Sequence, residues 1–223
     1  MTTVTKMKLS KETLSLLKNF AEINSNILIK PGNFINTMSV GRNIYAESSI
    51  QEDFETEIGI FDLNKFLGVI SMFNDPELEF NDTYVDISNG KSTVRYYYTE
   101  PSILTVPPKK LKLPNTQITF DLNENDLNEI LKVSRILQVN DLEIVGENGV
   151  LKIVVVDFKN DSSNNFTLVI EENYKGQDYK GRINVSDIKF LPGSYKVELS
   201  NTIISKFTHT NSNLSYYIGI NRS

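Results

Sequence analysis

The chain begins with a pattern of apolar and polar positions that is typical of an amphipathic helix followed by a hairpin. Ser10 is a suitable N-cap, and apolar residues recur at helical spacing up to about Asn24. The apolar positions that would form one buried stripe are Leu14, Leu17, Phe20 and Ala21. The turn residues Pro31-Gly32-Asn33 then separate two short apolar runs. We therefore predict a helix and, directly after it, a β-hairpin.

The same pattern returns 114 residues later, which indicates an internal repeat. A helix is predicted over 125–137, and its apolar stripe consists of Leu127, Ile130, Leu131, Ser134 and Leu137. At this offset Lys18 aligns with Lys132, and Gly32 aligns with Gly146 in the turn of the next predicted hairpin. The repeat predicts two similar units in one chain.

Each half contains a second, shorter helix pattern, over 62–71 in the first half and 185–191 in the second. Further strands are predicted over 53–60, 78–80, 84–87, 93–99, 166–172, 195–200, 203–208 and 215–221. Four prolines within 101–114 predict an extended linker between the halves. The predicted class is α+β, with two units at residues 1–108 and 109–223, each built from mostly antiparallel strands and two helices.

Composition limits the chemistry that this chain can perform. Of its 223 residues 39% are hydrophobic, which is enough for a packed core, and no run of 18 apolar residues predicts a transmembrane helix. The first residues lack the apolar core of a secretory signal. The chain has no cysteine, which excludes disulfides, thiolate metal sites and a cysteine nucleophile. His209 is the only histidine, which argues against a histidine-based catalytic triad and against a multi-histidine zinc site.

Nothing else in the chain predicts an enzyme. A phosphate-binding loop of the form G-x-x-x-x-G-K-[ST] is absent. The carboxylate pairs Glu52-Asp53 and Glu171-Glu172 lie at the ends of predicted strands. Because adjacent residues of a strand point to opposite faces, we interpret them as solvated surface residues. No catalytic residue, metal or cofactor is therefore expected.

The net charge of the whole chain does not show where its positively charged residues lie. The net charge of −5 and the pI of about 5.1 argue against a general nucleic-acid binder. Each predicted helix nevertheless carries at least one cation opposite its apolar stripe. The candidate DNA-binding residues are Lys11, Lys18, Lys65, Lys132, Arg135 and Lys189. Exposed helical lysines are also ordinary solubilising residues, so the pattern alone leaves both interpretations open.

The order of several short motifs along nearly the whole chain resembles the sliding clamps of T4-type bacteriophages. The motifs are Lys8-Leu-Ser-Lys-Glu-Thr, Leu16-Leu-Lys-Asn-Phe-Ala-Glu-Ile-Asn-Ser, Tyr45-Ala-Glu, Phe61-Asp-Leu-Asn-Lys-Phe-Leu-Gly, Leu131-Lys-Val-Ser-Arg-Ile-Leu-Gln and Pro192-Gly-Ser-Tyr-Lys-Val. None of them is a chemical fingerprint, and it is their order and spacing that make the resemblance specific. The departures lie mainly in 74–92, in 158–180 and at the C-terminal end.

The resemblance implies a DNA-clamp fold and a non-enzymatic role in DNA replication. It implies a homotrimeric ring of subunits with two clamp domains each, the helices inside and the sheets outside. Double-stranded DNA would pass through the hole without sequence-specific contacts, in the cytoplasm of the infected host cell. The implied partners are the replicative DNA polymerase, an ATP-dependent clamp loader and late-transcription factors.

The resemblance also implies where subunits and partners meet. The ring would close where strand 93–99 of one subunit pairs with strand 166–172 of the next. The candidate interface residues are Thr93, Val94, Arg95, Tyr96, Tyr97, Tyr98, Phe166, Leu168, Ile170, Glu171 and Glu172. Arg95 would face Glu171 or Glu172 across this interface. Partner peptides would dock in an apolar pocket on the C-terminal domain beside the linker, whose apolar residues are Ile103, Leu104, Val106, Leu111 and Leu113.

A second class of function remains open at this point. The strand-rich, asparagine-rich and cysteine-free composition is also compatible with a structural phage protein of the tail or baseplate.

Overall fold

The computed structural model describes residues 5–107, 111, 113, 115–160, 162–200 and 203–220. The chain separates into two units, Met1–Lys109 and Lys110–Ser223. The boundary expected from the sequence lies one residue earlier, at 108/109.

Unit 1 contains two α-helices and eight strands among its described residues. The helices are α1 (Lys11–Ile23) and α2 (Leu63–Ser71). The strands are β1 (Thr5–Met7), β2 (Ile27–Ile29), β3 (Gly32–Met38), β4 (Ile44–Phe54), β5 (Ile58–Ile60), β6 (Glu77–Phe80), β7 (Tyr84–Ser88) and β8 (Thr93–Tyr97). A 3₁₀ turn follows at Pro101–Ile103.

The strands of unit 1 pair in antiparallel fashion. One sheet has the order β1-β6-β7-β8, β2 pairs with β5, and β3 pairs with β4. The hairpin predicted across Pro31-Gly32-Asn33 is therefore wrong, because the strands on either side of this turn, β2 and β3, pair with other strands and not with each other. The helices contact each other, and their buried faces, which include Leu17, Phe20, Leu63 and Phe66, form the core with the inward residues of the strands. Burial of a helix stripe against sheets is the expected arrangement for this α+β pattern.

Unit 2 contains one α-helix and eight strands among its described residues. The helix is α3 (Glu124–Leu137). The strands are β9 (Thr116–Leu122), β10 (Asp141–Glu147), β11 (Val150–Val156), β12 (Phe166–Glu171), β13 (Tyr179–Asn184), β14 (Tyr195–Ser200), β15 (Ile204–His209) and β16 (Ser215–Gly219). They form two antiparallel arrays, β12-β11-β10-β13 and β16-β15-β14-β9. The α+β class predicted from the sequence is confirmed in both units.

The predicted second helix of unit 2 is wrong. Over 185–191 the chain forms only a 3₁₀ turn at Val185–Asp187, capped by the side chain of Asn184. The backbone of Leu191 makes its hydrogen bonds elsewhere, because its N–H donates to the Tyr216 hydroxyl (3.0 Å) and its carbonyl accepts from the Tyr195 hydroxyl. These tertiary hydrogen bonds replace the helical ones that a longer helix would require.

An aromatic cluster holds the same segment in place. The ring of Phe190 lies 4.5 Å from that of Tyr216, 4.8 Å from that of Phe207 and 5.0 Å from that of Tyr195, measured between ring centroids. Aromatic burial of this kind is worth more than the weak helix preference of a seven-residue segment.

The sequence prediction also missed β1, β9, β13 and most of β4. β4 is polar over much of its outer half, so its strand character comes from pairing with β3 and not from an apolar alternation. β1 has only three residues, too few for a periodic pattern. Short or polar strands are identified by their partners in space.

The linker begins as part of unit 1 and not as free extended chain. Thr99 donates its N–H to the carbonyl of Gly59 (2.9 Å), and Thr105 donates its N–H to the side chain of Asn26 (2.9 Å). A Cβ at Gly59 would come within 2.1 Å of the Thr99 carbonyl oxygen, so glycine is required for this close approach. Residues 108–110, 112 and 114 of the predicted linker lie outside the described residues. Among the described residues, no helix combines the length and the apolar character needed to cross a membrane.

Gly68 lies in the middle of α2 on its exposed face, and a Cβ at this position would meet nothing within 4 Å. Replacing Gly68 with Ala should raise the free energy of unfolding of unit 1 by about 0.5–1 kcal/mol, because alanine loses less backbone entropy in a helix. Urea denaturation of the intact protein measures the difference. Gly149→Ala is the control, since its φ of +78° is strained for alanine, and it should lower the stability.

Candidate nucleic-acid interface

Helix α1 presents Lys11 and Lys18 on one exposed face. They are two turns apart and share this face with Ser15 and Glu22, and all four residues are exposed. The opposite face is buried through Leu17 and the residues packed beside it. Neither lysine forms an ion pair with any described residue, so both ammonium groups are available to an external anion.

The start of α1 is held by two caps, one local and one from β4. The Ser10 hydroxyl accepts from the N–H of Thr13 (3.1 Å), as predicted for an N-cap. Glu52 of β4 accepts a hydrogen bond from the N–H of Ser10 and another from the Thr13 hydroxyl, both at 2.5 Å. Burial raises the pKa of Glu52, but these hydrogen bonds outweigh it, so the pKa lies below its usual value. The carboxylate interpreted as a solvated surface residue is therefore the tertiary cap of the helix that carries Lys11.

Helix α2 exposes Lys65 and is tied to the sheet at its first turn. The side chain of Asp62 accepts from the N–H of Lys65 (2.9 Å) as the N-cap. The Tyr96 hydroxyl donates to the carbonyl of Asp62 (3.1 Å), and the ring of Tyr96 meets that of Phe66 edge-on at 5.2 Å. Strand β8 thus fixes the position of the helix end from which Lys65 projects.

Helix α3 carries Lys132 opposite its buried residues Leu127, Ile130 and Ser134, with Arg135 beside it, and both cations are exposed. Asn123 is its N-cap and accepts from the N–H of Asp126 (2.9 Å). Arg135 lies in the last turn, where a cation interacts favourably with the helix dipole. The outward orientation predicted for both cations agrees with the structure.

Lys189 differs from the other five candidates. It is half-buried and lies after the 3₁₀ turn, where its N–H donates to the carbonyl of Asp187 (3.0 Å). The expectation that it lies on a helix equivalent to α2 is wrong, because that helix does not form. Its contact with DNA stays a prediction.

The two strands expected at the subunit interface both lie at sheet edges among the described residues. β8 pairs only with β7, and β12 pairs only with β11. β12 also contacts α3. The apolar residues Phe166, Leu168 and Ile170 of β12 are half-buried, whereas Glu171 and Glu172 are exposed. Edge strands offer unpaired backbone groups to a further strand.

The register of the β7–β8 hairpin defines which backbone groups of β8 are free. Tyr98 donates its N–H to the carbonyl of Thr83 (2.9 Å), and pairs with and without hydrogen bonds alternate in an antiparallel ladder. Val94 and Tyr96 therefore form backbone hydrogen bonds with β7, and the N–H groups of Thr93, Arg95 and Tyr97 point to the open edge.

The hydroxyl of Tyr98 is buried, and this burial raises the pKa of that hydroxyl.

Arg95 is already paired within its own unit. Its guanidinium donates to both carboxylate oxygens of Asp86, at 2.9 and 2.8 Å, and stacks 3.8 Å from the centroid of the Tyr84 ring. Hydrogen bonding to Asp86 raises the pKa of Arg95 above its usual value. The expected pair with Glu171 or Glu172 of another subunit would have to share Arg95 with Asp86. Sequence reasoning missed Asp86, although the Asn89-Gly90 turn signal places it opposite Arg95 in a hairpin.

The apolar linker residues fall into two groups. Leu104 is buried and its Cδ1 would lie 3.1 Å from a Cβ at Gly59, so it attaches the linker to unit 1. Ile103 is 62% exposed and Val106 is 38% exposed. Leu111 and Leu113 are half-buried. Only Ile103 and Val106 offer substantial apolar surface to a partner among these described residues.

The described residues contain no cluster of His, Asp and Glu that could hold a metal ion. The contacts of His209 are those of a structural residue. Its Nδ1 accepts from the N–H of Asn211 (3.1 Å), and its Nε2 lies 3.3 Å from the carbonyl of Pro192. Its ring packs edge-on against that of Tyr195. The candidate residues of each unit thus lie on capped helices, as exposed cations, and along an open sheet edge.

Comparison with known proteins agrees with this arrangement. Residues 10–103 match the family model described as DNA polymerase processivity factor, and residues 119–221 match the model described as gp45 sliding clamp, C terminal. The chain is 36% identical over 201 residues to the sliding clamp of Enterobacteria phage T4, covering 86% of this chain and 87% of that protein. This chain belongs to the sliding-clamp family. It is also 32% identical to the sliding clamp of Escherichia phage RB69, over 96% of each chain.

Solved structures support the same fold. A. fulgidus PCNA, solved with the C-terminal region of FEN-1, superposes with a TM-score of 0.71 at 10% identity, over 100% of this chain and 99% of that chain. The DnaN sliding clamp of Bartonella birtlesii superposes with a TM-score of 0.70 at 14% identity, over 99% of this chain and 65% of that chain. The DNA-clamp fold expected from the sequence is confirmed. Neither the family models nor these relatives support a tail or baseplate protein.

Clamps of this family are processivity factors for DNA polymerase and not enzymes, which confirms the prediction made from the sequence.

The hydrogen bonds to Glu52 lead to a prediction about pH. Replacing Glu52 with Gln removes the charge that strengthens both bonds and should destabilise unit 1 by about 1 kcal/mol at pH 7. Because the folded-state pKa is depressed, this stabilisation is complete above the unfolded value of about 4.5 and is lost as the pH falls through the folded value. The difference in urea midpoint between the two proteins should therefore shrink below pH 4.5. Glu55→Gln, at an exposed position, is the matched control.

Proposed function

We propose that this sliding clamp encircles double-stranded DNA as a homotrimer and tethers the replicative DNA polymerase to its template. Family membership supports the role as a processivity factor. The observation that carries the finer proposal is the outward position of Lys11, Lys18, Lys65, Lys132 and Arg135 on capped helices of a chain whose net charge is −5. A polyanion would meet these cations, whereas the acidic residues lie mainly in strands and loops.

Such contacts suit a protein that slides. Lysine side chains are long and mobile, and their contacts with phosphates carry no sequence information. Binding of this kind comes from the release of counterions and therefore weakens as the salt concentration rises. Closure of the ring, more than affinity, would keep the protein on DNA.

The ring would close by pairing between β8 of one subunit and β12 of the next. A head-to-tail contact of this type is heterologous, and it forms a closed ring when the rotation per subunit matches the number of subunits. The open N–H groups of β8 and the half-buried apolar residues of β12 support this pairing. A strand added from the next subunit would cover these apolar residues and would give hydrogen-bond partners to the unpaired backbone groups at the sheet edge.

Further partners follow from the same proposal. A short interface between two strands can open, so an ATP-dependent clamp loader would load the ring, although this chain has no ATP-binding motif. Peptides of the polymerase and of late-transcription factors would dock beside Ile103 and Val106, the exposed apolar residues of the linker. The protein would act in the cytoplasm of the infected host cell, where phage DNA is replicated.

The DNA-binding residues can be tested by their effect on salt dependence. The triple variant Lys11→Gln, Lys18→Gln, Lys132→Gln should weaken binding to linear duplex DNA, measured by fluorescence anisotropy over a range of salt concentrations. The slope of log K against log salt should decrease by about 0.9 for each phosphate that the variant no longer neutralises.

A matched triple variant on exposed loops, Lys91→Gln, Lys159→Gln, Lys175→Gln, removes the same charge elsewhere. It should change the slope little. An equal decrease in both variants would mean that net charge, and not the helix faces, governs DNA binding.

The ring contact can be tested on β8. Tyr97→Pro removes an N–H that points to the open edge and leaves the β7 ladder intact, so it should shift the trimer toward monomers in sedimentation velocity. Tyr97→Ala keeps the N–H and is the control for the removed side chain. A trimer that persists unchanged in Tyr97→Pro would exclude β8 as the pairing strand.

A further inference from the structure

Unit 1 contains an apolar cleft on the side of α1 that carries Lys11 and Lys18. Its volume is about 240 Å³. The floor consists of Leu67 and Ile70 of α2 and Leu78 of β6, all buried. This is a concave apolar site, and none of its lining residues belongs to the open sheet edge β8 of the proposed subunit contact.

The end of α2 creates the cleft. After the helix ends, Phe73 donates its N–H to the carbonyl of Ile70 (3.2 Å), which turns the chain back beside the helix. Phe73 and Pro76 then form one wall, and Leu9 and Leu14 form the other. All four wall residues are only half-buried, so the cleft leaves apolar surface in contact with water.

The rim of the cleft has an excess of positive charge. The only carboxylate among its lining residues, Asp75, forms an ion pair with Lys8. Lys11 and Lys18 also line the cleft, are exposed, and form no ion pair with a described residue. They are seven residues apart on α1, or about 10 Å along the helix axis, so their flexible side chains can converge on one anionic group.

We propose that this cleft binds a small amphipathic anion, namely an aliphatic or aryl carboxylate. Its apolar end would lie on Leu67, Ile70 and Leu78, and its carboxylate would lie between Lys11 and Lys18. The volume corresponds to about eight water molecules at ~30 Å³ each, which suits a ligand of fragment size. Burial of the apolar end supplies the affinity, and the lysines select for negative charge.

Comparison of the two repeats distinguishes this cleft from the features that both units share. At the offset of 114 residues, Asn123, Asn125 and Asn128 stand where unit 1 has Leu9, Lys11 and Leu14. Unit 2 therefore lacks the apolar wall and one of the two cations at the corresponding place, whereas Lys18 is matched by Lys132. A charge needed only for DNA would not require Leu9 and Leu14 beside it.

Octanoate is the probe, used with the intact protein labelled at its Ile and Leu methyl groups for NMR. The methyl resonances of Ile70 and Leu78 should shift saturably, with a dissociation constant on the order of 0.1–1 mM for a ligand of this size. The variant Lys11→Gln, Lys18→Gln should bind octanoate about fivefold more weakly. Lys30→Gln, Lys91→Gln removes two exposed lysines outside the cleft and should bind as the parent protein does.

Two further ligands test separately whether binding needs the negative charge and whether it needs the apolar end. 1-Octanol lacks the charge and should bind more weakly than octanoate, and inorganic phosphate lacks the apolar end and should not shift the floor resonances. Absence of a saturable shift with octanoate, equal binding of phosphate, or unchanged affinity in the Lys11→Gln, Lys18→Gln variant would each overturn the proposal. None of these readouts requires DNA, so the outcome is independent of the proposed ring.

Discussion

Burial of one apolar stripe on each α-helix organises the remainder of each unit. Leu17 and Phe20 on α1, and Ile130 on α3, are almost fully buried. When one face of a helix packs into the core, the residues that remain outside are determined at the same time. Lys18 and Lys132 project outward because the stripes that contain Leu16 and Phe20 on α1 and Ile130 and Ser134 on α3 are buried in the core. The candidate DNA surface is thus a direct consequence of core formation.

The apolar stripe determines how each helix is rotated about its own axis, but it does not determine at which residue the helix begins. In unit 1 this role falls to side chains that arrive from distant strands. Glu52 caps α1 from β4, and Tyr96 holds the first turn of α2 from β8. Glu52 accepts from the N–H of Ser10, for which α1 offers no partner. Tyr96 adds a second hydrogen bond to the Asp62 carbonyl, which already accepts from the N–H of Phe66. The proposed subunit strand and a lysine-bearing helix are therefore connected by one tyrosine, since Tyr96 belongs to β8 and contacts Asp62.

Backbone hydrogen bonding also explains the main difference between the two units. The sequence repeat suggests two helices in each, yet residues 185–191 form a single 3₁₀ turn. Tyr195 and Tyr216 supply the hydrogen bonds of Leu191, and Phe190 enters an aromatic cluster. A short segment follows whichever arrangement satisfies its polar groups and buries its ring. Similar sequence patterns can therefore end in different local structures when their neighbours differ.

Amphipathic periodicity was sufficient to predict the α+β class, the repeat and the helices α1, α2 and α3, because it is a local property that survives in any context. The outward positions of Lys11, Lys18, Lys65, Lys132 and Arg135 follow from the same periodicity. Three other features emerged from the folded chain alone: Lys189 is not helical, Arg95 pairs with Asp86, and Glu52 caps α1. The first and the last depend on contacts between residues distant in the chain, which no local pattern encodes. The pair of Arg95 and Asp86 depends on strand register, which the Asn89-Gly90 turn indicates only when it is recognised as a hairpin turn.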